Sequence, residues 1–147
     1  MDVKASLLGS IDEILDKMTF MFFEEVEEVH SGESLKYVTQ VRMLGVIKGI
    51  LNILVTEETA KHIARNLIGI REDDELYEDT LKDALMEFTN LVAGRTMTLL
   101  NPAGPFDMEV PHMVDAPPNE QNGLTTLDIH GSLDDQPFRV VLQYKEQ

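Results

Sequence analysis

The sequence predicts an α/β (α+β) protein, with a largely antiparallel central sheet, long helices packed on it, and two related halves. Three observations carry this. Apolar residues recur at helical intervals in three long segments, and paired runs of alternating β-branched residues read as hairpins. In addition, Asp12 to Phe23 matches Asp83 to Gly94 in register, with Asp12 on Asp83, Ile14 on Leu85, Asp16 on Glu87, Thr19 on Asn90 and Phe20 on Leu91. In each half the helix is followed by a hairpin, so the two elements repeat together.

From Ser6 to about Val29, Leu7, Leu8, Ile11, Ile14, Leu15, Met18, Met21 and Phe22 recur at helical spacing and predict a long first helix. Its end carries Glu24, Glu25, Glu27 and Glu28, an acidic run that opposes the helix dipole, before His30-Ser31-Gly32 as a stop. Tyr37 to Met43 and Val46 to Val55 predict a hairpin connected at Leu44-Gly45. In its second strand Lys48 and Asn52 share one face, while Leu51, Ile53 and Val55 share the other.

Thr56 is an N-cap for a second helix, with Glu57 and Glu58 in the first turn where acids suit the dipole. Ala60, Ile63, Ala64, Leu67 and Ile68 line one side, and Gly69 supplies the stop. The acids Glu72, Asp73, Asp74 and Glu75 open a third helix, from roughly Asp74 to a point between Gly94 and Leu100. Asn101-Pro102-Ala103-Gly104-Pro105 ends it. Met108 to Val114 predicts a short strand with Pro111 at an edge or bulge position. After a loop from Asp115 to Gly123, Leu124 to His130 and Pro137 to Tyr144 form a last hairpin, turning through Gly131 to Asp135.

At 147 residues the chain, 1–147, is expected to be a single domain with a core that needs no staples. It has no cysteine, which excludes a disulfide framework and a thiolate metal site. His30, His62, His112 and His130 lack the close helical pairing of a zinc site. The start of the chain lacks the pattern of a signal peptide, and no window reaches 18 uninterrupted apolar residues, so a soluble, cytoplasmic protein is expected. The net charge of -15 opposes phosphate backbones and anionic lipid, which argues against nucleic acid and membrane as partners. The same field favours a partner with a basic surface.

The third helix carries the chemistry. At roughly 100° per residue, Leu81, Leu85, Phe88 and Val92 share its core face, while Glu87, Asn90 and Gly94 form a line elsewhere on its surface. That line holds a carboxylate, an amide and a residue without a side chain, on a helix where a mid-helix glycine costs about 1 kcal/mol. Glu87 and Asn90 also fit an ordinary solvated helix face, and Gly94 also fits a C-terminal stop.

Glu87-Phe88-Thr89-Asn90-Leu91-Val92-Ala93-Gly94 fits the signature of the CheC, CheX and FliY chemotaxis phosphatases: glutamate, two residues, asparagine, three residues, glycine, all on a helix. The resemblance covers nearly the whole chain, in length, element order, duplicated helix and hairpin, and the Val110-Pro111 strand after the motif. A single intact motif in the second half resembles CheX. CheC carries two motifs, and FliY has further segments.

The resemblance implies a phosphatase acting on the phospho-aspartate of a CheY-type response regulator, in chemotaxis or another two-component pathway. Asn90 would enter the regulator's active site and hold a water in line with the acyl phosphate, and Glu87 would pair with the regulator's active-site lysine. Gly94 would let the partner approach closely, and Asp83 belongs either to the solvated rim or to a contact with a basic partner residue. Magnesium would belong to the regulator, with no intrinsic cofactor here. Thr19 stands where the first half would need an amide, so a second active site is not expected. The resemblance to CheX also allows a homodimer through sheet edges. The alternative is a non-catalytic module of the same fold that binds a receiver domain or a flagellar or signalling partner. A third reading is an acidic scaffold acting through charge.

Overall fold

The computed structural model describes residues 1–27 and 35–147. Among these, α1 (Val3–Ile14), α2 (Glu57–Ile68) and α3 (Glu78–Leu100) pack on one face of a seven-stranded sheet. The strands are β1 (Phe23–Glu25), β2 (Leu35–Leu44), β3 (Ile47–Thr56), β4 (Asp107–Met108), β5 (His112–Val114), β6 (Thr125–Leu133) and β7 (Gln136–Glu146). They run in the order β1-β6-β7-β3-β2-β4, with β5 also on β2, and each pairing is antiparallel.

Alternation along the strands decides which face is buried under the helices. Val41 and Met43 of β2, Leu51 and Ile53 of β3, and Phe138, Val140 and Leu142 of β7 join Leu7, Ile11, Ile63, Leu85 and Phe88 in one core. The alternate residues Val38, Leu54 and Val141 form a small cluster on the opposite face. Lys48 and Asn52 share that face as expected. Lys48 is exposed, but Asn52 is buried and accepts a 3.1 Å bond from Gln40 Nε2.

The sheet has a pseudo-twofold plan centred between β3 and β7, where Leu51 faces Leu142. Each half contributes a hairpin, β2–β3 or β6–β7, and each lends a short outer strand to the other half. β1 pairs with β6, whereas β4 and β5 pair with β2. Gly9 lies against Leu99, and Arg95 donates to Glu13, so α1 and α3 pack antiparallel.

Several boundaries differ from the sequence expectation. The first helix does not run from Ser6 to Val29: it starts at Val3, widens into a π turn over Leu15–Thr19, and stops at Phe20, whose backbone is left-handed with φ 56°. Phe23–Glu25 is a strand, so Glu24 and Glu25 are not at a helix end and the expected conflict with the dipole is removed. Glu28 and the stop at His30-Ser31-Gly32 lie outside the described residues.

Thr56 caps α2 as expected, its hydroxyl accepting 3.0 Å from Thr59 N, and Gly69 ends it in the left-handed region. The third helix begins at Glu78 rather than near Asp74. Asp74 is held in a turn, its carboxylate accepting from Arg71 N at 3.0 Å, while Arg65 Nη1 donates to the carbonyls of Arg71 and Asp74.

The strand expected over Met108 to Val114 is split into β4 and β5 around Pro111, which has no N–H to donate to a ladder. The last hairpin turns in two residues, Asp134 and Asp135, both with positive φ, so β6 continues through Gly131 to Leu133. Gly131 faces the ring of Phe23 across the β1–β6 pair, where a side chain would collide with it.

Candidate functional site

The core-facing stripe of α3 consists of Leu81, Ala84, Leu85, Phe88, Thr89, Val92, Ala93, Thr96 and Met97. Burying a side chain such as Phe88 contributes roughly 1.5–3 kcal/mol and presses this face onto the sheet. The opposite side of the helix then faces outward. Asp83 and Glu87 are exposed on it, and Asn90 and Gly94 are half-buried. All four predicted residues lie along one line, spanning about 16 Å at 1.5 Å per residue.

Gly94 is not a stop, because α3 continues to Leu100. Nor is it glycine for want of space inside the chain. A Cβ there would lie 3.6 Å from Met108 Cε, an ordinary contact. What the missing side chain leaves open is the surface beside Asn90.

Three side-chain links fix how α3 is rolled about its axis. Tyr37 Oη on β2 donates to Glu78 Oε1 at 2.9 Å, and burial, followed by the Glu78 carboxylate, pushes the Tyr37 phenol up, which keeps it a donor. The hydroxyls of Thr39 on β2 and Thr89 on α3 are hydrogen-bonded to each other, and Thr89 Oγ1 donates to Leu85 O at 3.0 Å. Arg95 donates to Glu13 on α1, which also accepts 2.8 Å from Lys17. Those bonds, Lys17 first and then Arg95, hold the Glu13 carboxyl below its ordinary value.

Among the described residues, these bonds engage neither the Glu87 carboxylate nor the Asn90 amide. Both polar groups are displayed and free to meet a partner. Tyr37 and Thr39 were not singled out by sequence reasoning, their only local signal being polar side chains at inward positions of an otherwise apolar strand.

The internal repeat is present, but its register is shifted by one residue. Burial aligns Ile11 with Leu81, Leu15 with Leu85 and Thr19 with Thr89. Thr19 Oγ1 donates to Leu15 O at 2.8 Å, the same bond that Thr89 makes to Leu85. Lys17 and Phe20 therefore stand where the second half has Glu87 and Asn90. Asp16 and Phe23 do not occupy the positions expected of them.

A cavity of about 730 Å³ opens elsewhere, lined in part by Arg42, Lys48, Ile50, Gln143 and Lys145. None of its lining residues lies on α3, although Met108, the neighbour of Gly94, is among them. Among the described residues, no group of three His, Cys, Asp or Glu side chains is gathered as metal ligands, and no helix is long and apolar enough to cross a membrane.

The fold is that of CheX and CheC-like chemotaxis proteins. Chemotaxis protein CheX from Vibrio vulnificus is similar at TM-score 0.76 and 18% identity, covering 99% of this chain and 97% of that one. CheX from Desulfovibrio desulfuricans gives 0.78 and 15%, covering 99% and 100%. A CheX–CheY–BeF3–Mg2+ complex from Borrelia burgdorferi gives 0.72 and 22%, covering 99% of each chain. No curated protein sequence matches. The family model of chemotaxis phosphatase CheX matches residues 37–122, and the chain belongs to that family.

Proposed function

We propose that this chain is a phosphatase for the phospho-aspartate of a CheY-type response regulator, with residues 1–147 acting as one domain in the cytoplasm. The observation that carries the reading is the outward line on α3, with Glu87 and Asn90 one turn apart and engaged by none of the hydrogen bonds that fix the helix. Membership of the CheX family supports it, as does a structural relative from Borrelia burgdorferi solved in complex with CheY, BeF3 and Mg2+.

In this reading Glu87 pairs with a lysine in the regulator's active site. The amide of Asn90 both donates and accepts, so it holds one water in line with the phosphorus. An acyl phosphate is already reactive, and phosphoryl transfer needs positioning and charge neutralisation more than covalent help. Magnesium neutralises the phosphoryl oxygens from the regulator's side. Gly94 leaves room for the regulator, and Asp83 extends the acidic end of the line towards a basic rim. A homodimer through sheet edges is compatible with this arrangement, since the α3 line is on a helix and not on an edge strand.

Steady-state phosphate release tests the proposal, using a panel of receiver domains supplied with magnesium and a small-molecule phosphodonor. Turnover that rises with this protein's concentration for at least one regulator is expected. Saturable binding to a phosphorylated regulator with no increase in release would instead mark a non-catalytic interaction module.

A further inference from the structure

We infer that Thr89, through its bond to Thr39, is a positioning residue for Asn90, a role that rests on the phosphatase reading above. Thr89 directly precedes Asn90 and is fully buried, and Thr39 is 2% exposed on the inward face of β2. Their surroundings in the core are apolar, where an unbonded hydroxyl is destabilising. Three polar contacts surround the two hydroxyls: Thr39 with Thr89, Thr89 with Leu85 O at 3.0 Å, and Thr39 with Ile53 O at 3.4 Å. Each hydroxyl has one proton to donate. Two arrangements let both hydroxyls donate while keeping the bond between them, and the one that leaves the longest contact over has Thr39 donating to Thr89 and Thr89 donating to Leu85 O.

This connects the sheet to a backbone carbonyl in the helical turn that carries Glu87 and leads into Asn90. Packing of apolar side chains sets the distance between α3 and the sheet and limits rotation about the helix axis. A directional bond at residue 89 resists it where rotation matters. A side-chain tip lies about 5–6 Å from the axis, so a roll of about 10° moves it by about 1 Å. Misplacement on that scale can reduce a rate by up to about 100-fold.

Comparison within the molecule sets this link apart. Thr96 and Thr98 bond only to carbonyls of their own helix, Val92 O at 2.8 Å and Gly94 O at 3.0 Å. Thr19 makes the equivalent bond in α1's π turn, but among the described residues no sheet hydroxyl meets it, and Phe20 follows in place of an amide. Of the two side-chain bonds from β2 to α3, Tyr37 to Glu78 lies about three turns before Asn90, and Thr39 to Thr89 is the one that adjoins it.

Thr89→Val removes the hydroxyl while keeping the shape, and Thr89→Ser keeps the hydroxyl. In the full chain, Thr89→Val is expected to lower kcat for aspartyl-phosphate hydrolysis about tenfold, with KM changed less than twofold. Thr89→Ser should stay within about twofold of wild type, and Thr39→Val should resemble Thr89→Val. NMR order parameters of the Asn90 side-chain amide supply a readout independent of turnover: lower in Thr89→Val, retained in Thr89→Ser. An active wild type whose kcat survives Thr89→Val, or an Asn90 amide equally ordered in all variants, would overturn the inference. Failure of wild type to hydrolyse any phosphorylated regulator counts against the phosphatase reading, and the amide measurement then decides the positioning role alone.

Discussion

Asn90 offers an amide at the surface of a helix whose buried neighbour, Thr89, is tied to the sheet, so its freedom is confined to its own side-chain torsions. Gly94, four residues on, leaves the approach to that amide open. Because an added methyl would meet only Met108 at an ordinary 3.6 Å, Gly94→Ala should stabilise the fold by up to about 1 kcal/mol through helix propensity. The same change should raise KM for a phosphorylated regulator without lowering kcat, and denaturant titration beside steady-state kinetics separates the two effects. Asp83, Glu87, Asn90 and Gly94 could be placed on one line from the sequence because helical period is a local property. Thr39's approach to Thr89 could not, since it depends on packing between residues 50 apart in sequence.

Among the elements, α1 departs furthest from its sequence pattern. Met18, Met21 and Phe22 continue a helical stripe, yet the helix ends at Phe20 and Phe23 turns to pack edge-on against Phe138 at 5.7 Å between ring centres. Pairing of Phe23 to Glu25 with β6 decides this end, and no local pattern encodes it. Phe20 is left 78% exposed in a left-handed conformation that costs a bulky residue about 1–2 kcal/mol. Phe20→Gly should therefore stabilise the protein, by about 0.5–1 kcal/mol after the entropy of the added glycine, as read by chemical denaturation. In the β6–β7 hairpin, Arg139 bonds both oxygens of Asp128, at 2.9 and 2.8 Å, and holds that carboxyl below its ordinary value. A lowered folded-state pKa means that the contribution is complete above the unfolded value, about 3.9, and is lost as pH falls through the folded one. Asp128→Asn should be less stable than wild type at pH 7, and the difference should shrink below about pH 4 in a pH series of thermal melts.

For the whole molecule, hairpins and helices were legible in the sequence, but the exchange of β1 and of β4 and β5 between halves was not. The repeat was visible in the order of its elements, and its register slipped by one residue because identities between Asp12 to Phe23 and Asp83 to Gly94 are few, whereas burial fixes the match through Leu15 with Leu85 and Thr19 with Thr89. With 27 acidic against 12 basic residues, the folded chain repels itself. Its thermal midpoint should rise between about 10 mM and 150 mM salt, where the screening length falls from about 30 to about 8 Å. The seam supports a helix layer whose outward line gives the molecule its proposed work. The most direct test of that work is the first-order decay of a pre-formed, magnesium-bound aspartyl phosphate on a receiver domain, followed with wild type and with Asn90→Ala. Wild type should accelerate decay, and Asn90→Ala should lose about 10²–10³ of that acceleration while still folding. Equal acceleration by both proteins would contradict the assignment of the water to Asn90, and no acceleration by either, across every regulator offered, would contradict the account as a whole.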